Sequence, residues 1–325
     1  MPIKGTAARW VTMTLALLAA AATMGPGAAI AESHHGYRVR VIRAPGHNVH
    51  CPGRVEINAI NDAGEMVGSA GCRYHSLLII DRGRTTVTRL PSGKLKDDDG
   101  AGVASNGLVA ATTANYRDPF YSFTSWLRYP GGKLERLTAP RAYRGSTQVF
   151  AVNRHGAAVG RYPTTGHGHP DVPFIYRSHG HRRGFTTFHL GIPHATDVEL
   201  SGINDRGDLC GAFLDKADVH RGFIRHDGHI RVVTAPGASH ERFKGTYVDA
   251  IANDGRFAAS VNPARRPDQT ESLVHNRRGW TTIPLPHPGS RLYSTSDINS
   301  AGVAVTNYLT AGGLYFTSLK ATPAR

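Results

Sequence analysis

The stretch "INDAGEMVG", residues 60–68, decides the fold, because it returns closely matched as "INDRGDLCG" at 203–211. Four looser copies align with these two on the central glycine. The six anchor glycines are Gly64, Gly107, Gly156, Gly207, Gly255 and Gly302. They follow one another at spacings of 43, 49, 51, 48 and 47 residues, and a period of this length indicates a repeat architecture.

Each repeat carries further short segments rich in β-branched and aromatic residues. In the fourth repeat they read "GFIRHDG" at 222–228 and "GHIRVVTAP" at 228–236. Helical periodicity is absent from these segments, and Gly, Pro and Asn-Asp pairs separate them, as is typical of strands. With one strand entering the anchor turn and one leaving it, we predict four strands in each repeat.

A four-stranded unit of this size, repeated six times, predicts an all-β six-bladed β-propeller. The sixth repeat ends before its fourth strand, and "YRVRVIRAP" at 37–45 resembles the missing segment. We therefore expect an N-terminal strand to complete the last blade and close the ring, which removes unpaired sheet edges. An open stack of six sheets is the alternative.

The anchor turn itself has a structural explanation. Asn, Asp and a Gly at positive φ are the residues that reverse a chain between two strands. Turn carboxylates such as Asp62 and Asp205 are also possible calcium ligands, but each turn offers too few oxygens for the six to eight that calcium takes. The recurring Asn, Asp and Gly residues thus indicate a hairpin turn.

This pattern resembles the bacterial extracellular repeats named for a His-Ala-Phe tripeptide, the HAF repeats. The resemblance rests on the recurring "INxxGxxVG" and a following aromatic or aliphatic strand, and it covers the chain from about residue 37 to 320. The literal tripeptide is not present, and Phe174 and Phe223 lie nearest to its position. The resemblance implies an exported repeat protein, with no single activity attached.

The N-terminus predicts export. Residues 1–31 combine Lys4 and Arg9 with a short apolar run and a small-residue site before Glu32, which is typical of a signal peptide. We expect cleavage after Ala31, a short leader at 32–36 and a propeller at 37–325. A retained anchor is the alternative. The protein is then secreted or periplasmic, and no later stretch is long and apolar enough to predict a membrane span.

Charge suggests the class of partner. Removing Lys4 and Arg9 with the signal peptide lowers the formal net charge from +14 to +12. Such a charge favours an anionic polysaccharide, a wall polymer or a protein partner, and outside the membrane we expect no nucleic acid. A solubility surface is the alternative explanation. We expect a monomer.

Three cysteines occur, at positions 51, 72 and 210. An odd number in an exported protein suggests one disulfide bond and one free thiol. Cys51 and Cys72 lie at the open end of the first hairpin, so we predict a Cys51–Cys72 disulfide. Cys210 occupies the position of Val67 in the repeat, which predicts a buried residue.

Loop length predicts the binding face. The first-to-second and third-to-fourth connections are short, whereas the second-to-third and blade-to-blade connections are long and variable, and both long classes lie on one face. We name this the long-loop face. Its aromatic and cationic side chains suit sugar rings, carboxylates and phosphates. The candidate ligand-binding residues are Arg73, Tyr74, His75, Tyr116, Arg117, Tyr162, Arg221, Arg265, Arg266 and Tyr308.

Histidines offer two candidate metal sites, although we expect no obligatory cofactor. His167, His169 and His194 lie in long loops and could converge on zinc or copper. Cleavage after Ala31 would place His34 third in the mature chain, where it could join the terminal amine and two amides around copper. Loop histidines that merely ionise are the alternative.

Catalytic motifs are absent from the sequence: there is no G-x-S-x-G, no H-E-x-x-H and no phosphate loop. Propeller enzymes often assemble a site from single residues on several blades, which lowers the weight of this absence. We therefore predict a binding scaffold. The alternative is a hydrolase or lyase that acts on an extracellular polymer or lactone.

Overall fold

The computed structural model describes residues 36–42, 54–71, 75–91, 97–115, 122–165, 171–310 and 316–324. These described residues form 24 strands and one 3-10 turn at Tyr143–Gly145. In the first half of the chain the strands are β1 Tyr37–Ile42, β2 Arg54–Ile60, β3 Met66–Gly71, β4 His75–Asp81, β5 Arg84–Thr88, β6 Asp97–Val103, β7 Val109–Asn115, β8 Ser122–Arg128, β9 Leu134–Leu137, β10 Gln148–Val152, β11 Ala157–Tyr162 and β12 Val172–Arg177. In the second half they are β13 Gly184–Thr187, β14 Thr196–Ile203, β15 Leu209–Leu214, β16 His220–His226, β17 His229–Val233, β18 Thr246–Ile251, β19 Phe257–Val261, β20 Glu271–Asn276, β21 Gly279–Ile283, β22 Arg291–Ile298, β23 Ala304–Leu309 and β24 Phe316–Pro323.

These strands form six antiparallel four-stranded sheets, one for each repeat. Blades 1 to 5 are β2–β5, β6–β9, β10–β13, β14–β17 and β18–β21, each in chain order from the axis outward. Blade 6 has the order β22, β23, β24, β1. The prediction of an all-β six-bladed propeller with four-stranded blades is confirmed.

The N-terminal strand closes the ring as expected. Strand β1 pairs with β24 antiparallel, with Tyr37 opposite Pro323 and Ile42 opposite Ser318. The Tyr37 hydroxyl also donates to the carbonyl oxygen of Gly302, at 3.1 Å. The outer edge of blade 6 is therefore covered by the beginning of the chain, as the outer edges of the other blades are covered by their own fourth strands.

The hydrophobic core lies between neighbouring blades. Between blades 3 and 4, for example, Val159 and Phe188 pack with Leu209 and Phe223, all buried. Equivalent clusters join blade 1 to blade 2 and blade 5 to blade 6. Because strand side chains alternate between faces, each blade presents one apolar set to each neighbour. Cys210 is buried and free in such a cluster, as predicted.

The glycines of the opening stretch meet two different needs. Gly64 has φ +82°, the conformation that its turn requires and that glycine adopts at least cost. Gly68 lies in β3 against the first strand, where a Cβ would collide with the Glu56 carbonyl oxygen. Gly160 and Gly211 are in the same situation in blades 3 and 4. Close approach of the first two strands therefore explains why "INDAGEMVG" ends in glycine, at Gly68.

Within the described residues, no helix has the length and apolar character needed to cross a membrane. The predicted signal peptide, residues 1–31, and the predicted leader, residues 32–36, lie outside them except for Gly36, so export stays a prediction.

Candidate functional site

The anchor turns form a closed end of the propeller axis. In four blades the third residue before the anchor glycine is an asparagine, and its side-chain amide donates to the next blade's carbonyl oxygen at the same position. Asn61 donates to Ala104 and Asn204 to Ala252, at 2.9 and 3.1 Å. Each asparagine oxygen also accepts from its own turn, as Asn61 does from Glu65 N–H. The repeated Asn thus links blades.

A second ring of side chains fills this end across the axis. We name it the turn ring: Asp62, Ser105, Arg154, Asp205, Asn253 and Ser300, two residues before each anchor glycine. Asn253 donates to Asp62 at 2.9 Å, and Ser105 donates to Asp205 at 2.9 Å, although neither pair belongs to adjacent blades.

The carboxylates of the turn ring also accept backbone hydrogen bonds. Asp62 accepts from Ser300 N–H and Asp205 from Arg154 N–H, at 2.7 and 2.9 Å. These acceptors are engaged in fastening turns together, which supports the structural explanation over calcium binding.

Above the turn ring, every first strand bulges at the same position. The extra residue is the sixth before the anchor glycine. In all six blades the pairing of the first strand with the second shifts register at this residue, which has no partner in the second strand. We name these residues the bulge ring: Asn58, Ala101, Phe150, Ser201, Asp249 and Ser296. They line an axial cavity of about 70 Å³ together with four members of the turn ring, Asp62, Ser105, Asp205 and Asn253. A bulge redirects a side chain out of the sheet pattern, and here it supplies the lining of the axis.

Two residues farther toward the long-loop face lies a third set, the mouth ring: Glu56, Asp99, Gln148, Glu199, Tyr247 and Ser294. Three of its six members are acids. Asn58 donates to the Asp99 carboxylate of the next blade at 2.8 Å. Arg161 lies 3.1 Å from Asp171 and 3.9 Å from Glu199, so it bridges blades 3 and 4. The long-loop end of the axis is therefore rich in carboxyl groups within a basic protein.

Burial perturbs these carboxyl groups. It raises the pKa of Asp99 to about 8, with a further contribution from the Glu56 carboxyl beside it. Burial also raises the pKa of Glu199, with the neighbouring acids Asp197 and Asp171 acting in the same direction and Arg161 opposing them. The pKa of Asp249 in the bulge ring is raised for the same primary reason. Carboxyl groups with raised pKa values cluster at functional sites.

Several predicted site residues lie outside the described residues. These are Arg73, Tyr74, Tyr116 and Arg117 of the binding set, His34, His167 and His169 of the metal sets, and Cys51 and Cys72 of the predicted disulfide. Their roles stay predictions.

Two predicted binding residues are placed differently from expectation. Tyr162 is 6% exposed and packs near Phe174, and Tyr308 is 2% exposed. The reason is strand length: β11 continues to Tyr162 and β23 continues past Tyr308, so both rings lie inside paired sheet instead of a loop. We correct their assignment from ligand contact to inter-blade core.

The remaining binding residues lie on the long-loop side, mostly engaged with acids. Arg221 donates to Asp215 at 2.8 Å, and Arg265 pairs with Glu271. Arg266 is exposed. His75 begins β4, and its backbone N–H donates to the Asp97 carboxylate at 2.7 Å. Burial lowers the pKa of the His75 imidazole, and the nearby Arg54 guanidinium acts in the same direction. The Glu56 carboxyl of the mouth ring opposes this lowering, so His75 lies near the mouth ring.

His194 is exposed in the loop between β13 and β14 and has φ +61°. Across the part of the chain that the structure describes, no group of three or more His, Cys, Asp or Glu side chains is arranged to hold a metal ion. The described structure therefore adds no ligands to the predicted zinc or copper sites.

Sequence reasoning missed the acids of the axis. Their signal was present in the aligned repeats: the positions eight and six residues before the anchor glycine carry Glu56, Asp99, Glu199 and Asp249 where other copies have Gln, Tyr, Ser, Ala, Phe or Asn. Polar residues in the middle of a buried strand are unusual and mark a position of interest.

Comparison with known proteins does not assign the chain to a family. No family model matches the chain, and no curated protein matches it, so the resemblance to HAF repeats stays a prediction. Similar solved structures include YCF48 bound to a D1 peptide, at 10% identity and a TM-score of 0.42, covering 88% of this chain and 85% of that one. A gluconolactonase of Xanthomonas campestris is 11% identical with a TM-score of 0.48, covering 93% and 99%. Dipeptidyl peptidase 4 of Porphyromonas gingivalis is 9% identical with a TM-score of 0.37, covering 79% and 44%. Identities and TM-scores this low carry no argument about activity.

Proposed function

We propose that this protein is an exported binding scaffold that takes an extracellular glycan at the long-loop end of its axis. The observation that carries the proposal is the polarity of the axis. One end is filled by the turn ring, whose members hydrogen-bond across it. The other end carries the carboxyl groups of the mouth ring.

Carboxyl groups and an exposed aromatic ring suit a sugar. Carboxylates accept hydrogen bonds from hydroxyl groups, and a protonated carboxyl also donates one. The raised pKa of Asp99, about 8, keeps its carboxyl group largely protonated at neutral pH. Tyr293, next to Ser294 of the mouth ring, is 43% exposed, and tyrosine rings stack on sugar faces.

The basic charge of the chain favours a glycan that also carries acidic groups. Arg266 and Arg291 are exposed on this side of the propeller. Neither has a carboxylate partner among the described residues, so each guanidinium is available to a ligand carboxylate or phosphate. The carboxyl groups at the mouth would take hydroxyl donors while these arginines take the anionic groups.

Binding to soluble neutral and acidic polysaccharides, measured by calorimetry at low and high salt, tests the proposal. The variant Glu199→Gln should weaken binding, since it removes a carboxylate from the mouth ring. Glu241→Gln is the matched control, because Glu241 is exposed in the blade 4 to blade 5 loop and the charge change is the same. Equal binding by both variants would contradict a site at the mouth. Binding to a protein partner and to no glycan would replace the ligand class.

A hydrolase or lyase is the second candidate, favoured by one observation. Asp99 and Glu56 interact electrostatically, and Asp99 has a pKa near 8. A carboxyl group that stays protonated at neutral pH can serve as a general acid. Product analysis of the polysaccharide after incubation distinguishes this candidate. An enzyme would release fragments, and Asp99→Asn would stop the release while binding continues.

A further inference from the structure

A groove on the face opposite the long loops lies between blades 3 and 4. It has a volume of about 320 Å³ and a floor formed by Ile175, Ile203 and Leu209. Its polar lining comes from the ends of β12 and β16 and from the anchor turns of both blades. This face plays no part in the glycan site proposed above.

Two arginines line the groove at equivalent positions of adjacent blades. Arg177 lies opposite Ala157 in blade 3, and Arg225 lies opposite Leu209 in blade 4. Both are partly buried. Among the described residues, neither guanidinium has a carboxylate within ion-pair distance. Two uncompensated positive charges on one partly buried groove attract an anion, because low exposure weakens screening by solvent.

The acids nearest to this groove are already engaged. Asp208 pairs with Arg206 at 2.8 Å and with His226 at 2.6 Å. Asp205 accepts from the Arg154 N–H and from two side chains of the turn ring. Asp205 itself lines the groove, but the lining also contains Arg206, so three guanidinium groups face one carboxylate and the groove keeps a positive charge.

The imidazoles of His155 and His179 also line the groove, and local bonds position them. Ser178 N–H donates to the Gly156 carbonyl oxygen at 3.1 Å, which fastens the β12–β13 turn to the anchor turn of its own blade. The Ser178 hydroxyl lies 2.8 Å from Nδ1 of His179. On His155, Nε2 accepts from Arg154 at 3.3 Å, which leaves Nδ1 as the donor in the neutral ring.

We propose that this groove binds the tetrahedral oxyanion of a phosphate or sulfate group. Arginine forks give paired hydrogen bonds to such oxygens, and imidazole N–H groups add single ones. The apolar floor gives room for the carbon part of an ester. The source of the anion is either a free ion or an ester on a larger molecule, and the two have the same headgroup chemistry.

Calorimetric titration of the full-length mature protein with inorganic phosphate, inorganic sulfate and glycerol phosphate tests the proposal. The double variant Arg177→Gln/Arg225→Gln should weaken binding by at least about tenfold, since hydrogen bonds between charged groups are lost. The matched control is Arg84→Gln/Arg136→Gln, which removes the same charge from exposed outer-strand positions of blades 1 and 2. It should leave the affinity within about twofold of the wild type.

The titrations distinguish the source of the anion and test the proposal itself. Tighter binding of glycerol phosphate than of inorganic phosphate would support an ester ligand, and the reverse would support a free ion. No binding of any of the three anions by the wild type, or equal losses in the two double variants, would overturn the proposal.

A second measurement does not depend on the folding of the double variant. The ring resonances of His155 and His179 in the wild type, assigned with His→Gln variants, should shift on addition of the anion that binds. Binding without any shift at these two rings would place the anion elsewhere and overturn the proposal.

Discussion

The side-chain amide of Asn299 donates to the carbonyl oxygen of Asn61 at 3.1 Å, and this bond joins the last blade to the first. It repeats the contacts that link blade 1 to blade 2, blade 3 to blade 4 and blade 4 to blade 5. Blades 2 and 5 have Ala104 and Ala252 at this position, so two junctions lack the bond. Sheet pairing by β1 and this turn contact close the ring from its outer and inner sides.

Asn299→Ala should lower the free energy of unfolding by about 1–3 kcal/mol, because it removes a buried amide and the acceptor for Val303 N–H. Urea unfolding measures the change. Asn106→Ala is the control, since its amide also donates to a neighbouring blade, at Arg154, but in an exposed position. An equal loss in both variants would contradict a special role for the buried link.

Val39→Asp tests the closure by β1. Val39 is 5% exposed in the core between blades 5 and 6, so a charge there should cost about 3 kcal/mol or more of unfolding free energy. Arg40→Asp, one residue along on the exposed side of β1, should change it by about 0.5 kcal/mol or less. Detachment of β1 would also leave the β24 edge unpaired, and gel filtration should then show self-association. Similar stabilities for the two variants would argue against the observed register.

Stability should fall as pH rises toward about 8. Asp99 has an ordinary pKa of 3.8 and a folded-state pKa of about 8, so the folded protein holds this proton more tightly than the unfolded chain. Its contribution is complete below the unfolded value and is lost as pH rises through the folded value. Asp99→Asn should therefore flatten the decline in unfolding free energy measured between about pH 5 and about pH 8. Asp268→Asn, at an exposed side chain, should keep the wild-type slope. A slope unchanged by Asp99→Asn would show that other groups cause the decline.

Thiol titration examines the cysteines. Cys210 is buried, and burial raises the pKa of its thiol, so the native protein should give no reaction with an aromatic disulfide reagent. After denaturation without reductant one thiol should react, if Cys51 and Cys72 form the predicted bond. Three reactive thiols under those conditions would refute the disulfide, and peptide mapping would confirm it directly.

Much of the architecture was predictable from the residues that recur in each repeat. The anchor glycine, the asparagine before it and the apolar residues on either side recur because every blade needs the same reversal and the same two apolar faces. The incomplete last repeat predicted the pairing of residues 37–42 with β24, which the register from Tyr37 to Ile42 confirms. The position of Cys210 in the repeat likewise predicted its burial.

The candidate site was less predictable, since loop boundaries decide exposure. Tyr162 and Tyr308 follow the second strands closely enough to be taken for loop residues, yet the strands continue through them and bury both rings. Aromatic residues at strand ends are ambiguous in sequence, because one further pair of hydrogen bonds moves a ring from loop to core.

The sequence by itself determined the repeat, the number of blades, the anchor turns and the strand that closes the ring. These features depend on short sequence patterns that recur at a regular period. Only the tertiary structure decided which polar groups meet. Asp99 lies against Glu56 and Asn58 of the preceding blade, and Arg177 shares a groove with Arg225 of the next. The physical reason is that the packing of one blade on the next sets these encounters, and it joins residues far apart in the chain, such as Asn58 and Asp99, which are 41 positions apart.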